Sequence, residues 1–510
     1  MRSESMRTNH ASRTRRIIAG VVTMLMILGV VATLAVHRPL PWLVDRVPTG
    51  AATTVHEVSQ TQLMTYCPAR MGLSDTGSYG DSEFQSSAGD ISSSARYAAF
   101  GSIYRASIGT LDGQDTGDGE LEDPDILDAS NVKAASGTVD GGARIVDTRM
   151  LRAESGTGTS SSVVSTATRG DLSGLSASSC ITPSLTPAFL LPATTDGTTQ
   201  QLVVANTSAK AATVHVRIWG TSHTGALTSA VGSSLGVAAH AQSVFDLVAA
   251  ASDERGLFVS VSSLETPVAA FVRTVRLDGL TVKGSDYVSG AAPAAKRIML
   301  PAVHEGDEVT LFAFGRNHAK ARVSWVGGDD GDVSEHAIAA DKVSAIDVGK
   351  APKGVQGLSI ASSEPIRAQV RVTRSGDAGQ QDFAFIGASV PARQSAVVLP
   401  GSVAGSMSFI NTSDASHTAT LRAYDDHGKA VGSRRIELKA GDALSLSDGD
   451  VGNGARLFAL HDAEGIAWGM RVSSDAVDKA KLAGVGYLEP QSLDVRSERI
   501  RVQADQGIVR

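Results

Sequence analysis

Three arginines recur at one place in a repeating pattern: Arg273, Arg371 and Arg471 each fall six residues after a turn position, Pro267, Pro365 or Gly465. A guanidinium kept at a constant place on a strand can contact an anionic polymer, or can pin a neighbouring module through a carboxylate, because its planar fork matches both. Duplication alone also reproduces such a column, with the side chains facing solvent. Gly232-Ser233-Ser234-Leu235-Gly236 has the spacing that presents a nucleophilic serine in hydrolases, but that chemistry needs a strand, a sharp turn and a helix around Ser234. The flanking residues read as strand on both sides, so the spacing points to chance in a chain rich in Gly and Ser. Two acidic turns, Asp448-Gly449-Asp450 and Asp329-Asp330-Gly331-Asp332, offer clustered oxygens of the kind calcium takes. Neither completes the EF-hand register, since Gly452 stands where a third ligand belongs and Ala459 occupies the last position. No histidine pair at metal spacing and no phosphate-cradling glycine loop occurs, so no metal or cofactor is expected. Cys67 and Cys180 are the only cysteines. In an oxidising compartment they are read as one disulfide, the alternative being two buried thiols.

The elements that must carry these residues repeat three times. A Leu-Pro step recurs at Leu191-Pro192, Leu300-Pro301 and Leu399-Pro400, spaced by 109 and 99 residues, which is too long for a solenoid unit and fits a string of small domains. Within each copy the hydrophobic period is two: Val214, Val216 and Ile218 alternate with polar neighbours, as do Val323 with Trp325 and Leu421 with Ala423. Turn chemistry at Asn206, Asn317 and Asn411 closes one hairpin, and glycine-containing turns close the next. About seven short strands per copy predict an all-β chain of tandem immunoglobulin-like antiparallel sandwiches, with a propeller of two blades per copy as the alternative. Trp219, Trp325 and Tyr424 share a column whose alternation with Val and Ile predicts core rather than an exposed sugar-stacking surface. Asn206-Thr207-Ser208 and Asn411-Thr412-Ser413 have the form of glycosylation acceptors but sit in turns that favour asparagine in any case.

The 510 residues carry a net charge of −7, and Arg2, Arg7, Arg13, Arg15 and Arg16 lie ahead of an uncharged run from Ile17 to Val36. That run is long enough to cross a bilayer, and its basic flank predicts a cytoplasmic N-terminus with the bulk of the chain outside the cytoplasmic membrane. A cleaved signal peptide with a site near Thr33-Leu34-Ala35 is the rival reading. Beyond residue 16 there remain 41 basic and 52 acidic residues, a balance that argues against nucleic acid as a partner. The expected order is a basic tail (1–16), an anchor (17–36), a Pro-containing linker (37–52), an irregular β domain with a disordered insertion (53–183), three repeats (184–290, 291–390, 391–490) and a tail (491–510). Within the irregular domain, Arg70 to Arg96 reads as an excursion and the acidic run from Asp112 to Asp128 as a loop.

The stretch from Gly170 to Gly220, "GDLSGLSASSCITP" followed by a Leu-Pro run and "QLVVANTSAKAATVHVRIWG", together with "YCP" at Tyr66 to Pro68 and the arginine-flanked anchor, resembles an actinobacterial extracytoplasmic family known as domain of unknown function 5719. The resemblance implies a single-pass envelope protein, often encoded beside a large membrane glycosyltransferase, with its paired cysteines at Cys67 and Cys180. It assigns no catalytic residues. The function expected is therefore non-enzymatic: a membrane-anchored scaffold or accessory factor for cell-surface polysaccharide assembly, its partner a membrane glycosyltransferase or cell-wall polysaccharide. The alternatives are a glycan-binding array using the arginine column and, further off, a hydrolase using Ser234.

Overall fold

Strand alternation in the sequence becomes two-sided burial in space. Along Ala212–Trp219 every second residue is buried, with Val214, Val216 and Ile218 turned inward, as expected of a half-buried strand. The computed structural model describes residues 20–29, 53–74, 85–121, 132–328, 333–411, 413–494 and 497–503. It is all-β, built of antiparallel sheets, and divides into two units. The smaller holds the helical residues 20–29 and the paired strands Thr53–Ser59 and Ser497–Gln503. The larger, residues 59–496, is one compact body.

That body repeats one design four times, not three. In the first and second blocks eight strands make two four-stranded sheets; numbered along the block, their spatial orders are 1-6-3-4 and 5-2-7-8, which the fourth block keeps with one added edge strand, Gln491–Ser492, and the third keeps with its sixth and seventh strands fused so that its strands form one sheet. The first block obeys the same order as the others, with Gln62–Cys67, Arg144–Met150, Ile103–Thr110 and Asp115–Glu120 in one sheet and Val132–Gly137, Ser92–Phe100, Gly158–Ala167 and Gly174–Ser179 in the other. The region expected to be irregular is thus a fourth copy, and part of the acidic run expected as a loop is the strand Asp115–Glu120, paired with Ile103–Thr110. Residues 75–84 of the expected excursion and 122–128 of the expected acidic loop lie outside the described residues.

The strand order departs from the immunoglobulin one, in which the sixth and seventh strands, F and G, pair in a single sheet. Here the sixth and seventh strands lie in opposite sheets. The third block shows why: its sixth and seventh strands are one continuous strand, Val355–Ser375, whose first half pairs with Ala295–Pro301 and Ala319–Gly327 and whose second half pairs with Glu308–Gly315 and Gln381–Gly387. Nor do the sheets match propeller blades of strands taken in sequence, since each draws its strands from across the block. Of the expected anchor, only residues 20–29 are described; they are helical, and among the described residues no helix is long and apolar enough to cross a membrane.

The blocks are docked in a closed cycle. Tyr66, Ile145 and Leu172 of the first pack with Phe271 and Tyr287 of the second; Phe312, Phe314 and Phe385 of the third join the core of the second; Val326 of the third meets Ile410 and Ala467 of the fourth. The cycle closes where Ala98 and Phe100 of the first meet Tyr424, Leu457 and Leu493 of the fourth. Hydrogen bonds reinforce the closure: Ser160 and Ser162 donate to the carbonyls of Ala396 and Val398, at 3.1 and 2.6 Å. This explains the serine-rich strand Gly158–Ala167, buried on both faces but half polar.

The final strands of the four blocks, Gly174–Ser179, Thr281–Val288, Gln381–Gly387 and Gly486–Leu488, are sheet edges that meet at the centre. Unpaired edge N–H groups cannot be buried without acceptors, and two aspartates supply them. Asp382 accepts from the N–H of Leu175 (2.9 Å), Val485 (3.0 Å) and Phe383 (3.0 Å); Asp286 accepts from Phe385 (2.8 Å) and Ala177 (3.4 Å). Gly174, at φ +140°, gives Asp382 room, since a Cβ there would stand 2.9 Å from its carboxylate. Burial pushes the Asp382 carboxyl up to about 8, against the pull of its N–H donors, and raises Asp286 as well.

The disulfide Cys67–Cys180 ties the first strand of the first block to the segment after its last strand. Replacing both cysteines with serine is expected to cost about 2–5 kcal/mol, read as a lower denaturation midpoint that reductant lowers in the wild type only. Because the carboxyl of Asp382 is raised from 3.8 to about 8, its contribution to stability is fully present below about pH 4 and is lost as pH climbs toward 8. Asp382→Ala should flatten that part of the stability–pH curve and, by leaving three buried donors without an acceptor, lower stability by about 3 kcal/mol or more.

Candidate functional site

The arginine column lies on the seventh strand of the second, third and fourth blocks, where the side chains reach toward the preceding block. Arg273 donates to Gln201 and lies beside Gly72 of the first block. Arg371 donates through Nη2 to Thr310 Oγ1 at 3.3 Å and faces the second block. Arg471 is buried and pins the fourth block to the third: Nη1 lies 2.7 Å from Asp307 Oδ2 and 2.9 Å from the Ala302 carbonyl, and Nη2 lies 3.5 Å from Asp307 Oδ1. Arg374 completes the clamp, its Nε 2.6 Å from Asp307 Oδ1. Burial works against charge on Asp307, but Arg471 and Arg374 outweigh it and hold the carboxyl below its usual range. Burial and the same arginines press the neighbouring His304 down to about 3, so it stays neutral while sharing a 2.9 Å hydrogen bond with Ser408. In the first block the corresponding strand carries Ser162, and the groove arginine is Arg96 on the paired strand, which lies near Gly401 of the fourth block.

The aromatic column has the same explanation. Trp219 packs on Phe258 and on Phe314 of the next block, with Arg316 stacked 4.6 Å above its ring. Tyr424 meets Phe100 across the closure, and Trp325 is partly buried against the third block's core. These rings are interface and core, not an exposed platform.

The other marked residues do not converge. Ser234 sits on the short strand Ser234–Val237, directly opposite His215. Its Oγ lies 3.1 Å from His215 Nδ1, but both elements are strands and the pair is exposed, so the strand–turn–helix setting of a nucleophile elbow is not met. Asp448 and Asp450 cap a short turn, where Asp450 accepts from the backbone and hydroxyl of Ser447. Asp329 to Asp332 lie outside the described residues. Asp425, Asp426 and His427 form an exposed cluster in a turn where Asp425 accepts from the N–H of His427 and Lys429. The side chains of Asn206 and Asn411 are buried and bind their own turns, donating to Lys210 and Ala415 carbonyls.

What the sequence did not single out is a cavity of about 330 Å³ beside the central strands, lined by Thr65, Thr159, Trp468, Tyr487, Glu489 and Gln491 among others. The hydroxyls of Thr65, Thr159 and Tyr487 are buried there without a hydrogen-bond partner. Burial raises the Glu489 carboxyl to about 7 against one hydrogen bond from Ser289. Such a lining suits a small polar ligand, with aromatic faces for its apolar side and a carboxyl that can donate or accept. No motif announces it because its walls come from the first, second, third and fourth blocks.

The geometry defines a class, a closed cycle of four antiparallel β blocks whose recurring arginines serve the grooves between blocks. Residues 134–448, well over half of the chain, match a family described as a family of unknown function, DUF5719. The chain belongs to that family. No curated protein matches it. Among solved structures, dimeric latent PorU from Porphyromonas gingivalis is 9% identical, with 63% of this chain and 34% of that chain covered and a TM-score of 0.13. The Streptomyces avermitilis α-L-rhamnosidase in complex with L-rhamnose is 10% identical, with 82% and 58% covered and a TM-score of 0.11. The chain thus spans about a third and somewhat under three-fifths of these two.

Arg471→Ala leaves Asp307 with Arg374 as its remaining guanidinium partner and strips the Ala302 carbonyl of its donor, so it is expected to lower stability by about 1.5–3 kcal/mol, the range for a hydrogen bond to a charged group, and Arg273→Ala, whose partner is a neutral amide, by clearly less. Denaturant titration of the two variants gives the comparison.

Proposed function

We propose that this protein is a non-enzymatic scaffold or accessory factor of the cell envelope, tethered to the cytoplasmic membrane through residues 17–36 and acting in cell-surface polysaccharide assembly. The observation that carries the reading is the closed cycle of blocks, which makes residues 59–496 one body suited to holding a partner in fixed geometry. The anchor rests on the uncharged run and on residues 21–28, where Val21, Met24, Leu25, Met26 and Ile27 are all exposed, as a helix meant for lipid would have them. A membrane glycosyltransferase is the partner of choice on the strength of the family resemblance. The individual blocks are read as relatives of the immunoglobulin sandwich with one edge strand exchanged between sheets.

A second reading, a glycan-binding protein, draws support from the cavity and its unpartnered hydroxyls.

Crosslinking in living cells should recover one membrane glycosyltransferase reproducibly, and a reporter fused to the C-terminus should read out outside the cytosol. Deleting residues 1–36 should release the chain from the membrane fraction. A cytosolic reporter signal would end the tethered reading. Retention on envelope polysaccharide that Tyr487→Phe with Glu489→Gln abolishes would favour the second reading over the first.

A further inference from the structure

The grooves between successive blocks are copies of one another, and comparing two of them exposes a missing partner. In the groove between the third and fourth blocks, Arg471 and Arg374 clamp the carboxylate of Asp307, and Arg471 also donates to the Ala302 carbonyl. Strand register identifies the matching residues one groove earlier. Arg371 pairs with Thr310 as Arg471 pairs with Ser406 and as Arg273 pairs with Gln201. Three residues before Thr310 is Asp307; three residues before Gln201 is Thr198, which pairs with Arg276. Ala302 follows Leu300-Pro301 just as Ala193 follows Leu191-Pro192. Both arginines of the clamp are therefore present between the second and third blocks, as Arg276 and Arg371, and the carbonyl's position is kept as Ala193. The carboxylate is replaced by a threonine.

At that place the structure has a cavity of about 390 Å³, lined by Ala193, Thr198, Thr274, Arg276 and Arg371, with Arg255 on its wall. Nε of Arg371 has no hydrogen-bond partner, and neither has the hydroxyl of Thr274, a side chain with 0% of its surface exposed. Glu308 and Asp347 also line the cavity, but among the described residues neither forms an ion pair with an arginine there, and Asp347 accepts from the N–H of Gly349. Three guanidinium groups against two carboxylates leave a positive excess, and burial first and Arg276 second work against the charge on Arg371, offset in part by Asp347. An incoming anion would offset that excess and fill the donors' open positions.

We infer that the groove between the second and third blocks is a binding site for a small carboxylate, up to the size of a sugar acid, held by Arg276 and Arg371 where Asp307 sits in the following groove. The ligand's carboxylate takes the fork of Arg371, its remaining oxygens meet Arg276 and the Thr198 and Thr274 hydroxyls, and Arg255 guards the opening. A ligand of this kind would bridge two blocks, as the Asp307 side chain does through its ion pairs in the following groove.

Calorimetric titration of the full chain with glucuronate, glucose and inorganic phosphate tests the assignment. Glucuronate should bind saturably and glucose should not. Arg371→Gln should weaken glucuronate by about tenfold or more, the usual loss for a charge-assisted bond. Should that variant fail to fold, Thr198→Asp decides: it restores the internal carboxylate, so it should abolish glucuronate binding and raise the melting temperature. Undiminished binding by Thr198→Asp, equal binding of glucose, or binding of phosphate alone would each overturn the inference.

Discussion

Four sheet edges meet at the centre of this protein, and an edge brings unpaired N–H groups that cannot be buried unanswered. Asp382 and Asp286 answer them, each reaching from one block to the backbone of others. Two carboxyls removed from water are expensive, so their surroundings are over-determined: Gly174 keeps clear of Asp382, and the last strands of the first, third and fourth blocks all depend on that one side chain. The raised position of Asp382 on the pH scale is the visible cost of placing a carboxyl there. The centre is therefore a joint made of backbone and two side chains, and the outer grooves are built on it.

Those grooves use one arrangement with different fillings. A buried ion pair closes the groove between the third and fourth blocks, a guanidinium–amide contact lies on the second block beside the first, and serine hydroxyls bound to carbonyls close the cycle. Each contact surface meets a different neighbour, and the copies differ at these junctions. The serine-rich strand Gly158–Ala167 is the clearest case: Val163 belongs to the first block's core, while Ser160, Ser162 and Val164 face the fourth block.

Burial in the grooves also changes the meaning of the arginine column. On an isolated module these side chains would be an outward polar row open to a polymer. Docked, they become reporters on the junctions, and the junction in which the carboxylate partner is missing stands out only by comparison with its copies. The central cavity arises the same way, from walls supplied by four segments distant in sequence.

The amino-acid sequence by itself determined the strand character, the threefold recurrence and the link between Cys67 and Cys180, since period-two alternation, turn residues and cysteine count are local properties. It did not disclose the first block as a fourth copy. There Cys67-Pro68 stands where the other copies have Leu-Pro, and serines occupy strand positions that valine fills elsewhere, so the repeat is hidden at the residues that usually mark it. Nor did it disclose the crossing of the sixth and seventh strands between sheets, because pairing partners are chosen by long-range packing that alternation does not encode. Only the tertiary structure decided that a string of domains closes on itself, and hence that buried aspartates, groove arginines and a shared cavity exist: each depends on groups 100 or more residues apart being brought to one point.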